Sequence, residues 1–191
     1  SLILSSLFLS SLFLSGLSLA VGVAIARALN GLGAQDVRLK WPNDIYWNNK
    51  KLGGILVEVT GDAEGPCQVV VGVGINLFLT VSEAIKIDQD WVDLARITEG
   101  KTPSRNQLAG ILINELLIVL SSFETCGISA FVDEWRSYDG MKNKQVTLFM
   151  GKQHIEGVIQ GIDENGLLSM KLPDGHVKSF ASGEVSFNPA L

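Results

Sequence analysis

Between Val37 and Leu77 the chain is punctuated so densely by proline and glycine that only short strands joined by tight turns fit it. Val37-Arg38-Leu39-Lys40-Trp41 alternates and carries bulky side chains, so it reads as a strand. Pro42 holds Trp41 extended and removes a ladder donor, which stops the strand. Asn43 and Asp44 then suit a turn, because short polar side chains bond nearby backbone. Ile45-Tyr46-Trp47 resumes as a strand, Asn48-Asn49-Lys50 forms the hairpin connection, and Lys51 to Val59 returns as the partner. Cys67 to Leu77 is the third strand. Gly53-Gly54 and the pair Gly72 and Gly74 weaken these strands unless another backbone or a ligand comes close, so they mark such an approach. The expected product is an antiparallel meander with a glycine-floored groove, Lys40 and Lys51 at its edge and Asn76 at its end.

The flanking segments fill in a core and a small appendage. Residues 1–26 carry no charge, a run that meets the length criterion for a membrane span. The preferred division is a buried strand over Leu2 to Leu9 and a core helix over Leu17 to Leu32, ended by Gly31 and Gly33. No basic region precedes the apolar run, so a secretory leader is not expected. The direct repeat Ser6-Leu7-Phe8-Leu9-Ser10 and Ser11-Leu12-Phe13-Leu14-Ser15 has no physical explanation. Downstream, Thr102-Pro103-Ser104 supplies a cap and an early proline. Leu108, Ile111, Leu112, Leu116, Val119, Leu120 and Phe123 then recur at helical spacing up to Gly127, predicting one long helix that backs the sheet. Phe131 to Tyr138 predicts a shorter helix with Phe131 and Trp135 on one face. From Met141 the pattern shifts to short strands, Val146 to Met150, Ile155 to Ile162, Leu167 to Leu172 and Val177 to Phe180, whose turn spacing predicts a small barrel.

Composition narrows the function classes. A formal net charge of −5 without local Lys or Arg clusters argues against a nucleic-acid surface. Cys67 and Cys126 lie far apart without a framework pattern, which suits a reducing compartment and two buried small apolar residues. His154 and His176 have no Cys or acidic partner at metal-ligand spacing, so no protein metal site is expected. Trp41, Tyr46 and Trp47 read as packing residues, and Arg105 and Asn106 as part of a helix start.

Taken in order, Lys40-Trp41-Pro42-Asn43-Asp44, Lys51-Leu52-Gly53-Gly54-Ile55-Leu56-Val57-Glu58 and Gly72-Val73-Gly74-Ile75-Asn76 resemble the active-site core of biotin protein ligases. Gly16-Leu17-Ser18-Leu19-Ala20-Val21-Gly22 resembles the start of the helix that precedes that core, and the terminal strands resemble the family's SH3-like domain. The implied fold is α+β: a mixed, largely antiparallel sheet backed by helices, like a class II synthetase, over residues 1–140, then a small SH3-like β-barrel over 141–191. The implied activity joins biotin to ATP as biotinyl-5'-AMP and passes the acyl group to a lysine of the biotin carboxyl carrier protein of acetyl-CoA carboxylase. Both first-step partners are anions, and like charges about 4 Å apart repel by roughly 4 kcal/mol at an effective dielectric near 20, so cations must lie between them.

By resemblance Lys51 is the catalytic cation and touches the biotin carboxylate, while Gly53, Gly54, Gly72 and Gly74 let the bicyclic ring lie against backbone. Lys40 lies near the phosphates, Asn43 and Asp44 near the nucleotide or its metal, Asn76 at the adenine edge, and Trp91 over the adenine. Mg²⁺ enters on the triphosphate, near Asp44, with no protein ligand set assigned. Asp44 has the alternative of capping its turn, and Trp91 that of an ordinary half-buried aromatic. The resemblance also implies a cytoplasmic homodimer, no membrane association, and a dimer surface at the loop Gly61 to Cys67. The family's glycine-arginine loop, its Ser-Thr-Asn-like segment and the winged helix-turn-helix of its repressor members have no counterpart here. The chain is therefore expected to be the C-terminal part of a ligase, touching DNA only through a domain it lacks. A lipoate ligase, or chiefly an adenylate-sensing dimerisation core of a repressor, are the alternatives.

Overall fold

The computed structural model describes residues 2–6, 16–61, 67–80 and 89–187. The strands β1 (Leu2–Ser6), β2 (Val37–Lys40), β3 (Asp44–Trp47), β4 (Lys50–Gly61) and β5 (Cys67–Ile75) form one sheet in the order β1-β5-β4-β3-β2, each pair antiparallel. This is the expected meander, with β1 added beside β5. Side chains alternate across it. Ile55, Val69 and Val71 are buried on one face, while Leu56, 59% exposed, shares the other face with Gly54, Gly72 and Gly74. The residues 7–15 and 62–66, which hold most of the serine-leucine repeat and of the proposed dimer loop, lie outside the described residues.

Helix α1 (Leu17–Gly31) is apolar on nearly every side and buries eleven of its residues, so it needs neighbours all round. It lies on the inner face of the sheet against β2, β3 and β4. The long helix runs over Arg105–Cys126, preceded by α2 (Leu94–Ile97) and here called α3; it packs on α1 instead of on the sheet, which corrects the expectation. Its inner stripe is Leu108, Leu116, Val119, Leu120 and Phe123, and Ser104 with Gln107 closes a reciprocal cap at its start. The outer side exposes Ile113, Leu117 and Ile118, and by length and composition this helix is apolar enough to cross a membrane. Cys126, expected to be buried, is exposed; it is the last residue of α3, one turn past the final buried position, Phe123. Helix α4 (Val132–Tyr138) buries Trp135 together with Phe131, and Glu134 accepts both arms of the Arg27 guanidinium at 2.6 and 2.5 Å.

The terminal strands β6 (Gln145–Met150), β7 (Gln153–Ile162), β8 (Leu168–Lys171), β9 (Val177–Phe180) and β10 (Glu184–Ser186) form a second antiparallel sheet, ordered β10-β6-β7-β8-β9. Four of these were legible. The fifth, β10, is three residues long and returns to pair with β6. Leu148, Ile159, Leu168, Met170 and Phe180 fill its core. This unit is fastened to the first by specific polar contacts. The buried Trp41 indole donates to the Gly166 carbonyl at 3.2 Å, and Arg136 donates to the Ile162 carbonyl from Nε at 3.1 Å and Nη2 at 2.9 Å.

Candidate functional site

The hairpin register brings three charges together. Lys40 pairs with Asp44 across β2 and β3, and Asp44 pairs with Gly54 across β3 and β4. One Asp44 carboxylate oxygen accepts from Lys51 Nζ at 2.6 Å and the other from Lys40 Nζ at 3.1 Å. Asp44 thus bridges the two lysines. Lys40 is buried, with its ammonium 5.3 Å from the Tyr46 ring centroid and 5.9 Å from that of Phe187. Lys51 keeps more exposure, 28% of its side chain, and faces a cavity of about 270 Å³.

That cavity is lined by Lys51, Gly53, Gly54, Gly74, Ile75, Asn76, Gln89 and Trp91. Lys40, Asn43, Asp44 and Gly72 stand outside this lining. The two central glycines differ in what they accommodate. A Cβ at Gly53 would collide with the Gly74 carbonyl and come within 2.9 Å of Ile75 Cδ1, so glycine there serves the neighbouring strand. A Cβ at Gly54 would rest 3.5 Å from Asp44 Oδ1 and 3.7 Å from Lys51 Cε, a fit without collision, on the outward face beside the ammonium. Gly74 presents bare backbone opposite it.

The asparagines act first on backbone. Asn43 exchanges two bonds with Ile55, its Nδ2 donating to the Ile55 carbonyl and its own carbonyl accepting from Ile55 N, both at 2.8 Å. Asn76 Nδ2 donates to the carbonyls of Lys51 at 3.3 Å and Val92 at 3.1 Å. Trp91 is not in a free loop. Lys51 N donates to the Asp90 carbonyl at 2.9 Å and Val92 N to the Lys51 carbonyl at 3.0 Å, so the indole-bearing segment runs parallel to the start of β4. Asp93, which the sequence reading passed over, locks this arrangement. It is 1% exposed, caps α2 through Arg96 N at 3.0 Å, and accepts from Leu79 N at 3.1 Å. Its signal was an N-cap aspartate before a helix too short to show periodicity.

Trp91 and Gln89 also line a larger cleft of about 1220 Å³ between the two sheets, which Lys40 enters with Tyr46, Lys50, Arg96, Lys144, Glu184 and Phe187. Tyr46 meets Phe187 edge to face at 6.1 Å. Burial, with smaller contributions from Asp44 and Glu184, pushes the Tyr46 phenol up to about 12. Asp139, where the two units meet, is pushed above the usual carboxylate range by burial, opposed by the N–H groups of Met141 and Lys142. Its Oδ2 is buried without a hydrogen-bond partner. Among the described residues no group of three or more His, Cys, Asp or Glu is placed to hold a metal ion, and the Asp44 oxygens are engaged by lysines.

Comparison with known proteins finds relatives along nearly the whole chain. Residues 1–76 match the model of the Biotin/lipoate A/B protein ligase family, and residues 143–188 that of the Biotin protein ligase C terminal domain. The bifunctional ligase/repressor BirA of Escherichia coli is 40% identical over 174 residues, which cover 91% of this chain and 53% of that protein. The biotin–[acetyl-CoA-carboxylase] ligase of Mycobacterium tuberculosis is 30% identical over 173 residues, covering 88% and 61%. The apo structure of biotin protein ligase from Aquifex aeolicus matches with a TM-score of 0.78 at 29% identity, covering 96% of this chain and 80% of that one. The Aquifex aeolicus ligase in complex with biotin and ATP matches at 0.76 and 27%, covering 96% and 76%. The chain spans about half the length of the first of these curated relatives.

Proposed function

The chain belongs to the biotin protein ligase family, and from that premise we propose that it serves the ATP-dependent attachment of biotin to a specific lysine of a biotin carboxyl carrier protein. The observation that carries this reading is the Lys51 ammonium facing a cavity floored by Gly54 and Gly74 and bounded by Trp91. Bare backbone admits a flat bicyclic ring, and the ammonium meets its acid tail. A carboxylate oxygen attacks the α-phosphorus of ATP, the bond to the β-phosphate oxygen breaks, and pyrophosphate leaves. The carrier's lysine amine then attacks the acyl carbon, its proton is lost, and AMP departs. Lys51 stabilises the charge that gathers on the acyl-phosphate oxygens in both steps. Its position is set by Asp44, which Lys40 holds from the other side.

Lys40, Lys50 and Lys144 are among the cations of the adjoining cleft, where the β- and γ-phosphates fit. Mg²⁺ belongs to this reading as the counter-ion that would arrive on the triphosphate and offset its charge. Asn76 and Asn43 support the site by clamping its strands, and an adenine contact by Asn76 would use the edge of its amide left beside the cavity. A cytoplasmic homodimer acting on the carrier of acetyl-CoA carboxylase completes the proposal. The lipoate alternative is disfavoured by the biotin-ligase C-terminal domain over 143–188.

The test is biotin-dependent exchange of labelled pyrophosphate into ATP. Exchange by the wild-type protein, lost in Lys51→Ala with folding retained, supports the reading. Exchange that depends on lipoate, or that survives in Lys51→Ala, refutes it.

A further inference from the structure

Arg96 has no part in the mechanism above, yet it lines the cleft directly against Trp91. Its guanidinium carbon lies 4.3 Å from the centroid of the Trp91 ring, a stacking distance for two planar groups. Asp93 meets this residue twice, once at its backbone and once, in a looser ion pair, at the guanidinium. Arg96 N is the donor to the capping carboxylate of Asp93 at 3.0 Å, and Arg96 Nε is 3.8 Å from the other oxygen of the same buried group. The Trp91 backbone is fixed by its parallel pairing with Lys51 and by Asn76. The backbone on both sides of the stack is therefore fixed, and the Asp93 carboxylate draws the guanidinium toward the ring.

The indole stands at a boundary. Trp91 lines both the small glycine-floored cavity and the large cleft, whereas Arg96 lines only the cleft. The guanidinium thus covers the ring from the cleft side, and the cavity side is left for a ligand. The cleft itself carries four cationic side chains, Lys40, Lys50, Arg96 and Lys144, against two acidic ones, Asp90 and Glu184. It is built to receive an anion.

We propose that Arg96 is a positioning residue for the nucleoside triphosphate: stacked on one face of Trp91 and tied to Asp93, it presents the other face to the purine base and turns the phosphates toward the cationic cleft. The inference rests on the ligase reading and adds to it the residue that separates nucleotide affinity from biotin affinity. A guanidinium that merely decorated the surface would affect neither ligand. One that held the fold of the cavity would affect both.

The experiment titrates the full chain with ATP and, separately, with biotin by calorimetry, for wild type, Arg96→Gln and Arg96→Lys. The inference expects Arg96→Gln to weaken ATP about fivefold and leave biotin unchanged, with Arg96→Lys intermediate because it keeps the charge and loses the planar stack. Equal ATP affinity in wild type and Arg96→Gln, or equal losses for both ligands, overturns it while the ligase reading stands. Wild-type protein that binds neither ligand defeats the ligase reading, and the inference falls with it.

Discussion

Gly53 and Gly54 are neighbours in β4, and one methyl group added to each separates what the fold needs from what the ligand needs. At Gly53 the new Cβ meets the Gly74 carbonyl, part of the paired strand's backbone, and Ile75 Cδ1 at 2.9 Å. Backbone in the middle of a ladder yields little, so Gly53→Ala should cost about 2–3 kcal/mol, typical of overpacking, and lower Tm by on the order of 5–10 °C. At Gly54 the nearest atoms are 3.5, 3.7 and 3.8 Å away, ordinary contacts, and the lost unfolded-state freedom adds roughly 0.4–1 kcal/mol of stability. Gly54→Ala should therefore melt at or slightly above the wild-type temperature. Its methyl, however, stands on the outward face between Lys51 and the place where the ring would lie. Biotin affinity should drop at least tenfold, about 1.4 kcal/mol or more. Paired thermal melts and calorimetric titrations with biotin decide the matter. Wild-type biotin affinity in Gly54→Ala, or a wild-type Tm in Gly53→Ala, would show that the roles assigned to these two positions are mistaken.

Tyr46→Phe should flatten the alkaline arm of the stability curve. The folded-state value of about 12 lies above the ordinary 10, so the protonated phenol contributes stability fully below pH 10 and loses it as pH rises toward 12. Urea denaturation at pH 9 and pH 11 reads the difference, and parallel losses in variant and wild type would contradict the assignment. Asp139→Asn should stabilise the protein at pH 7. A carboxyl raised by burial favours folding below its unfolded value and loses that contribution as pH rises through the folded one, while an amide still accepts from Met141 and Lys142. The gain should shrink near pH 3, and a pH-independent gain in melting temperature would argue otherwise. Asp93→Ala should cost about 1–2 kcal/mol, because it removes the cap of α2 and leaves Leu79 N without its carboxylate acceptor. Unchanged denaturation would remove Asp93 from the account of how Trp91 is held.

The hairpin around Lys51 was legible because its signals are local. Period-two alternation, Pro42, the two asparagines and the paired glycines each constrain a few adjacent residues, and the strands fall within a few residues of where they point. The position of α3 was not legible. Ile113, Leu117 and Ile118 make its outer side almost as apolar as its inner stripe, so periodicity gave the helix but not what it packs on, and α1, apolar all round, claimed the place next to the sheet. Likewise the Asp44 bridge follows from pairing across three strands, which puts residue 44 between 40 and 51, and no single stretch of sequence encodes it. Asn43 and Asn76 read as ligand contacts, yet their amides first fasten backbone, because each lies where a strand leaves the ladder and carbonyls need donors. Asp93 and β10 were passed over for one reason: elements of three or four residues are too short to show a period.

A crystal structure of the protein with biotinyl-5'-AMP decides whether Lys51 is the cation of the reaction. The acyl-phosphate oxygens should lie within hydrogen-bond distance of Lys51 Nζ, the bicyclic ring against Gly54 and Gly74, and the adenine on Trp91. An adenylate bound elsewhere, or a Lys51 side chain turned to solvent with the ligand in place, would contradict it.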